Sequence, residues 1–234
     1  MRKFFSYITL LLIVLPFMSC QEKKAEANVP KWILSMVSES KNTSVETDFS
    51  NILSDKRVPY IGYIGTEYQK FTKDIQKVQR KGDNQYDISG ITVVKNNRCN
   101  FRGTINIVEN REFTHPTYGV DDSMKGQFKR RGCSIAKYKL VEDASQTGSG
   151  VFTGYLLFYW YETNDGKFVY DDIDSHSDSY CNIQYAGTWT SNKTKKSKPC
   201  AWGQYRVPNS GDLDIGAGDF SVNPKYAKNG WEKK

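Results

Sequence analysis

Apolar and polar residues alternate along most of the chain, and this period of two is typical of β-strands with one buried face. In residues 100–108, Phe101 and Ile105 fall on one side of an extended chain, while polar residues fall on the other. Residues 88–94 have a similar pattern, and the polar residues 95–97 separate the two runs. The sequence therefore predicts a β-hairpin, followed by further antiparallel strands.

Further strands are predicted where β-branched and aromatic residues form runs between turn signals. These runs are residues 133–141, 151–161, 167–170 and 180–190. Residues 67–80 are ambiguous, because Phe71, Ile75 and Val78 would also share one face of a helix, but the all-β context favours a strand. We predict an all-β domain over residues 59–234, either an antiparallel β-barrel or a β-sandwich.

The run VFTGYLLFYWY, residues 151–161, is apolar on both faces. One face carries Tyr155, Leu157, Tyr159 and Tyr161, and the other carries Leu156, Phe158 and Trp160. Such a strand is expected to be central, between two layers. In a barrel, the face that begins with Tyr155 would line an interior able to hold an apolar ligand. The alternative is an ordinary packed core.

The N-terminal residues have the pattern of an export signal. Arg2 and Lys3 precede an apolar run over residues 8–17, which is too short to span a hydrocarbon core about 30 Å thick. The run ends at Ser19-Cys20, and the chain then becomes polar at once. This resembles a bacterial lipobox, in which Cys20 becomes the acylated first residue of the mature chain. The alternative is a simple secretory signal with an incidental cysteine.

These boundaries predict four segments. Residues 1–19 form a lipoprotein signal peptide, residues 20–30 a lipidated flexible tether, residues 31–58 a short helical cap, and residues 59–234 the β-domain. Acyl chains on the cysteine would hold the protein at a membrane. We therefore expect a lipid-anchored protein of the cell envelope, at the outer membrane, with the membrane as one partner.

The chain of 234 residues carries a formal net charge of +7, spread along the sequence. Such a charge favours solubility over nucleic-acid binding, and we expect no nucleic-acid partner. Four lysines cluster in residues 191–198, without the interleaved aromatic residues of a groove for single strands. This cluster is either a solvated loop tip or a patch for anionic glycan or lipid headgroups.

Four cysteines remain besides Cys20, and an even number in an exported chain favours disulfides. They are Cys99, Cys133, Cys181 and Cys200. We expect the pairs Cys99–Cys133 and Cys181–Cys200, which close the shortest loops and would each contribute about 2–4 kcal/mol. Free, buried thiols are the alternative.

Residues typical of catalysis or metal binding are few. His115 and His176 lie in polar segments, and neither neighbours a nucleophile elbow or a zinc-binding helix motif. Asp172, Asp174 and Asp178 could supply oxygen ligands to calcium, although a solvated acidic turn is the preferred interpretation. We therefore expect no catalytic activity and no cofactor.

Residues 95–107 and 200–220 resemble segments of uncharacterised lipoproteins from Bacteroidota, whose overall pattern is lipocalin-like. The resemblance implies a lipocalin-like β-barrel and brings no catalytic residues. Residues 187–189, Gly-Thr-Trp, are similar to the lipocalin G-x-W signature, which belongs to the first strand in that family and lies near the C-terminus here. Residues 122–124 resemble an O-glycosylation acceptor motif of the same bacteria, with Ser123 as the acceptor.

Three functions are compatible with these observations. The first is a non-catalytic envelope lipoprotein whose β-domain binds a protein partner or a small apolar or glycan ligand. The second is an immunity or inhibitor lipoprotein that neutralises an envelope-attacking enzyme. The third is a hydrolase whose site has no recognisable motif.

Overall fold

The computed structural model describes residues 29–232, which form two short α-helices and a ten-stranded sheet. The strands are β1 (Ser40–Asn42), β2 (Ile61–Ile64), β3 (Gln69–Arg80), β4 (Gln85–Val94), β5 (Asn97–Phe113), β6 (Phe128–Glu142), β7 (Gly150–Thr163), β8 (Phe168–Tyr170), β9 (Asn182–Ser191) and β10 (Ser197–Gln204). The helices are α1 (Lys31–Met36) and α2 (Ser50–Leu53), and 3-10 turns lie at Val120–Asp122 and Pro224–Asn229. The predicted all-β class with a short helical N-terminal segment is confirmed.

Eight strands form a closed antiparallel ring. Their hydrogen-bonded order is β2-β3-β4-β5-β6-β7-β9-β10, and β10 pairs with β2 to close the ring. Strand β1 pairs with the end of β5, and β8 pairs with the end of β7. The sheet therefore curves into a barrel, in which each of the eight strands has a partner on both sides.

The predicted hairpin is present as β4 and β5, and the ambiguous residues 67–80 form a strand, β3. The pattern did not predict β1, β2 or β10. Strand β1 has only three residues and lies inside the predicted helical cap, β2 is only four residues long, and β10 begins inside the lysine cluster. The predicted signal peptide and Cys20 lie outside the described residues. No helix within residues 29–232 has the length and apolar composition needed to cross a bilayer.

The two ends of the barrel differ. One end, named the hairpin end, carries the short β2–β3, β4–β5, β6–β7 and β9–β10 connections. The opposite end, named the capped end, is covered by α2. The ring of Phe49, just before α2, lies 5.2 Å from the ring of Phe158 and 5.9 Å from that of Phe168. Apolar residues of the predicted cap thus close this end of the core.

The interior of the ring is a packed apolar core to which all eight strands contribute. On β7, the inward side chains are Leu156, Phe158 and Trp160. Those of Tyr155, Leu157 and Tyr159 belong to a separate outer cluster, and the Tyr161 ring packs against Phe128, 5.9 Å away. The predicted central position of β7 is confirmed, because both of its faces are covered. The prediction that the Tyr155 face lines the interior is wrong, since the helix that covers this face could not be inferred from the strand pattern.

Two segments cover the outer face of the ring. Helix α1 places Ile33 in the outer cluster that contains Leu157 of β7. The C-terminal segment, residues 205–232, places Leu213 in a second outer cluster, with Tyr63 of β2. The strands beneath these segments are therefore buried on both faces, as near-continuous apolar runs require.

Strands β7 and β9 approach each other at two facing glycines. A Cβ on Gly154 would lie 2.7 Å from the Cα of Gly187 and 2.2 Å from the carbonyl oxygen of Ala186. Neither distance is tolerated by a real side chain, so the close approach requires glycine on both strands. The glycine of the Gly-Thr-Trp tripeptide has this packing role.

The four cysteines within residues 29–232 are free thiols, which contradicts both predicted disulfides. Cys133 on β6 pairs with Arg111 on β5. At 3.4 Å per residue, Arg111 is about 40 Å along β5 from Cys99, so Cys99 and Cys133 are far apart. Cys200 faces the interior near the hairpin end, whereas Cys181 lies before the start of β9, at the capped end. Short sequence separation favoured these pairs, but long strands carry the two members of each pair apart.

Candidate functional site

A cleft of about 330 Å³ opens on the outer face of the barrel near the capped end. Met36 of helix α1 forms one side, and residues 113–117, at the end of β5 and beyond, form the second. The third side is the loop 171–181 between β8 and β9. This feature is named the α1 cleft.

Arg131 of β6 forms the polar floor of the α1 cleft. Its Nε donates a hydrogen bond to Asp171 Oδ2 at 2.5 Å, and its Nη1 donates to Asp174 Oδ2 at 2.7 Å. Nη1 also donates to the carbonyl and hydroxyl oxygens of Thr117. Arg131 is 7% exposed and Asp171 is 1% exposed. The buried guanidinium thus has the paired and hydrogen-bonded partners that a charge in a low-dielectric site requires.

Strand alternation and one buried amide place these groups. Arg131 precedes Cys133 by two positions on β6, so both side chains lie on the outer face that α1 covers. Asn182, at the start of β9, donates from Nδ2 to the carbonyl oxygen of Asp171 at 3.0 Å and accepts from the N–H of Tyr159 at 2.8 Å. The acidic loop is therefore fixed to β7 at the cleft.

An aromatic wall faces the polar floor. The rings of Phe113 and Tyr159 stack with centroids 6.0 Å apart and planes 27° apart. Asp171 and Asp174 place two carboxylates against the single guanidinium of Arg131, and Glu39 also lines the cleft. The α1 cleft therefore combines an apolar surface with an excess of negative charge.

Burial shifts the pKa values of several groups in the cleft, and those of Asp171 and Cys181 bear on its chemistry. Burial raises the pKa of Asp171, although the Arg131 guanidinium and the N–H of Ile173 oppose the shift. Burial raises the pKa of the Cys181 thiol to about 12. Cys181 is therefore a protonated thiol at neutral pH, without the thiolate that a nucleophilic cysteine needs.

Several residues singled out from the sequence meet at this cleft. His115, Tyr159, Asp174 and Cys181 all line it. The His115 ring is close to its own neighbour, with Nδ1 3.2 Å from Thr114 Oγ1. The sequence pattern did not identify Arg131 or Asn182. Arg131 could have been recognised from the sequence in one way. In the alternation of β6 it stands at a position where an apolar residue is expected.

The proposed calcium ligands are directed to different partners. Asp172 Oδ2 accepts from Arg57 Nη1 at 2.6 Å, whereas Asp174 accepts from Arg131. Asp178 lies beside Gly218 of the C-terminal segment. Within residues 29–232, no group of three or more His, Cys, Asp or Glu side chains is placed to hold a metal ion.

Two other candidates lie away from the cleft floor. Ser123 is exposed at the end of the 3-10 turn Val120–Asp122, where a modifying enzyme could reach its hydroxyl. O-glycosylation of Ser123 remains a prediction. His176 is exposed on the loop 171–181.

A second constellation lies inside the barrel, around Lys73 of β3. Its Nζ is 3.7 Å from the ring centre of Tyr185, 4.5 Å from that of Tyr60 and 4.8 Å from that of Trp202. Lys73 is 7% exposed, and Nζ has no hydrogen-bond partner within residues 29–232. Burial lowers the pKa of Lys73 well below its usual range. The three rings form a cage around Nζ, and cation–π attraction favours its protonated form.

Comparisons with models of known protein families, with curated proteins and with solved structures find no match for this chain.

Proposed function

We propose that this protein is a lipid-anchored binding protein of the bacterial cell envelope, without catalytic activity, and that the α1 cleft is its ligand site. The α1 cleft is the observation that carries the proposal, because it brings an aromatic wall and a charged floor into one cavity. Its volume of about 330 Å³ is within the usual range for small-molecule pockets. The acylated Cys20 is the anchor in this proposal.

The lining of the cleft favours a ligand with an apolar or aromatic body and a positively charged group. The stacked rings of Phe113 and Tyr159 offer a flat apolar surface. Asp174 accepts from Arg131 through Oδ2, and its side chain is 24% exposed at the cleft. With Glu39 nearby, a cationic amine is attracted and a carboxylate is repelled.

The chemistry of the cleft favours binding over catalysis. Cys181 is protonated at neutral pH, and the carboxylates of Asp171 and Asp174 are already engaged by Arg131. A general base must be within hydrogen-bond reach of the proton that it removes. The hydrogen bond between His115 and Thr114 connects the imidazole to its own loop rather than to Cys181.

The anchor is tested separately from the cleft. In the native host, the wild type should incorporate labelled fatty acid and partition with detergent. The Cys20→Ala variant should lose both properties, because acyl chains supply the membrane affinity. Unlabelled wild-type protein in the soluble fraction would overturn the anchor.

The cleft is tested with two probes of similar shape and opposite charge, phenethylamine and 3-phenylpropanoate. Backbone amide shifts in the NMR spectrum should move around Phe113 and Tyr159 with the amine and stay unchanged with the carboxylate. Phe113→Ala should remove the response, because half of the aromatic wall is lost. Phe220→Ala, which removes an aromatic ring from the C-terminal segment, is the matched control and should retain it. Equal responses to both probes, or shifts located elsewhere, would contradict the proposed site.

A further inference from the structure

The hairpin end of the barrel is strongly cationic. Its connections and the adjoining strand ends carry the basic residues Lys95, Arg98, Lys193, Lys195, Lys196 and Lys198. The exposed acidic residues of the same connections are Glu67 and Asp143. Strand register brings these connections to one end of the ring, although they are far apart in sequence.

The basic residues of the hairpin end are exposed and form no ion pair within residues 29–232. Lysines at the capped end behave differently. Lys81, Lys125, Lys129 and Lys167 each lie within 4.0 Å of a carboxylate oxygen. The hairpin end thus concentrates six exposed basic side chains that no carboxylate within residues 29–232 pairs with.

The path of the chain at its N-terminus permits this end to reach a membrane. Val29 packs against the outer cluster that contains Leu157, and Leu157 is about 24 Å along β7 from Gly150 at the hairpin end. Residues 20–28 can span at most about 30 Å when fully extended. A lipid on Cys20 is therefore within reach of the plane in which the hairpin-end loops lie.

The C-terminal segment adds to the same end. Asn229 Nδ2 donates to the carbonyl oxygen of Glu67, and Trp231 Nε1 donates to that of Tyr68 at 2.7 Å. These bonds hold the exposed Lys228 beside the β2–β3 turn. The cationic surface is thus wider than the lysine cluster seen in the sequence.

We propose that the hairpin end is the membrane-facing surface of the protein, where its basic loops contact anionic lipid headgroups. The inference rests on the proposed lipid anchor, to which it adds an orientation. Basic side chains close to an anionic leaflet each strengthen attachment, and their attraction decays within a Debye length of about 10 Å at 0.1 M salt. In this orientation the α1 cleft, near the capped end, faces away from the membrane.

The experiment uses the chain from residue 20 onward with Cys20→Ala, so that no lipid contributes to binding. Sedimentation with vesicles of phosphatidylglycerol and phosphatidylcholine should show binding that is absent with pure phosphatidylcholine and lost at 0.5 M salt. Replacing Lys193, Lys195, Lys196 and Lys198 with Gln should lower the partition coefficient by at least about 100-fold. The matched control replaces Lys81, Lys125, Lys129 and Lys167 with Gln and removes the same charge from the capped end. It should reduce binding by less than about fivefold.

Two results would overturn the orientation. One is equal loss of vesicle binding in the two quadruple variants, which would mean that net charge alone matters. The other is binding of the unlipidated chain to soluble polygalacturonate without binding to anionic vesicles, which would assign the surface to an anionic glycan. Fatty-acid labelling of Cys20 tests the anchor independently, so failure of either proposal is recognisable without the other.

Discussion

The side-chain nitrogen of Lys73 lies 3.7 Å from the ring centre of Tyr185, inside the barrel and without a carboxylate partner among the described residues. Two effects oppose each other at this position. Burial of a charge without a hydrogen bond is unfavourable, whereas each aromatic ring attracts the charge by about 0.5–2 kcal/mol. The lowered pKa of Lys73 indicates that burial is the larger effect.

Lys73→Met should therefore stabilise the protein at pH 7. Methionine keeps the unbranched shape and removes the buried amine, which opposes folding at pH 7 either as a buried charge or by having to lose its proton, and replacing buried ionic groups with apolar ones gains about 1–4 kcal/mol. The free energy of unfolding, from urea titration monitored by tryptophan fluorescence, measures the difference. A less stable Lys73→Met variant at pH 7 would show that cation–π attraction outweighs burial.

The advantage of Lys73→Met should disappear as the pH rises. In the unfolded chain Lys73 titrates near pH 10.4, and in the folded protein it loses its proton at a lower pH. Between these two values the unfolded state binds more protons, so wild-type stability rises with pH relative to the variant. The destabilisation of the wild type by Lys73 is greatest below the pKa that Lys73 has in the folded protein, and it is absent above about pH 10.4. Buried cysteines and tyrosines titrate in both proteins, so their effects cancel in the difference.

Trp189→Phe should destabilise the hairpin end of the barrel. Trp189 Nε1 donates to the buried Glu142 Oε2 at 3.0 Å, and the N–H of Gly150 donates to the same oxygen at 2.7 Å. Loss of the indole donor weakens the solvation of a buried carboxylate, at a cost of about 1–3 kcal/mol. Thr190→Ala, one position along β9, is the control. It removes only the solvent-exposed hydrogen bond with Ser197 Oγ and should cost less than about 0.5 kcal/mol. Equal effects of the two changes in urea unfolding would contradict the role of the Trp189 bond.

Arg131 and Asp171 should show strong energetic coupling. Arg131→Met leaves Asp171 buried and unpaired, which should cost about 3–5 kcal/mol. Asp171→Asn alone should also destabilise, because it removes the charge partner of Arg131. The double variant should be more stable than Arg131→Met, since no isolated buried charge remains. Additive effects in a double-mutant cycle would mean that the two side chains act independently.

The described thiols should all be alkylatable in unfolded protein that has never been reduced. Mass spectrometry after denaturation should find adducts on Cys99, Cys133, Cys181 and Cys200. Two fewer adducts than expected, restored by reductant, would reveal a disulfide.

In the native protein, Cys181 should react first, because it is the least buried of the four. Its pKa of about 12 means that the thiolate fraction grows about tenfold per pH unit up to pH 10. Iodoacetamide labelling should follow this slope, and Cys181→Ala should remove the fast phase. A rate that levels off above about pH 9 would show an ordinary exposed thiol, whose pKa is about 8.5.

Strand alternation predicted the fold class and most long strands, because a period of two follows directly from backbone geometry. It also separated the two faces of β7 correctly, but it could not show which of them points into the barrel. That depends on which face α1 and the C-terminal segment cover. That choice is made by contacts between segments distant in sequence, so Tyr155 and Leu157 were assigned to the wrong side.

The candidate sites were less predictable than the strands. The sequence singles out His115, Asp174 and Cys181 individually, but only the pairing of β5 with β6 and of β8 and β9 with β7 brings them to Arg131. Lys73 could have been recognised, because it lies between Phe71 and Ile75 on the face of β3 that is otherwise apolar. Residues 67–80 fit either a helix or a strand, and in a helix Lys73 would lie on a different face from these apolar residues.

Closure of the ring has a consequence for folding. The final strand pair joins Gly62 of β2 to Trp202 of β10, near opposite ends of the described chain. Contacts between such distant residues form slowly, because the loop entropy must be lost before the contacts are gained. Until β10 arrives, β2 and β9 are open edges that can pair with other chains. A molecule truncated before Ser197 should therefore aggregate, and a complete molecule is exposed to the same hazard until its last strand is in place.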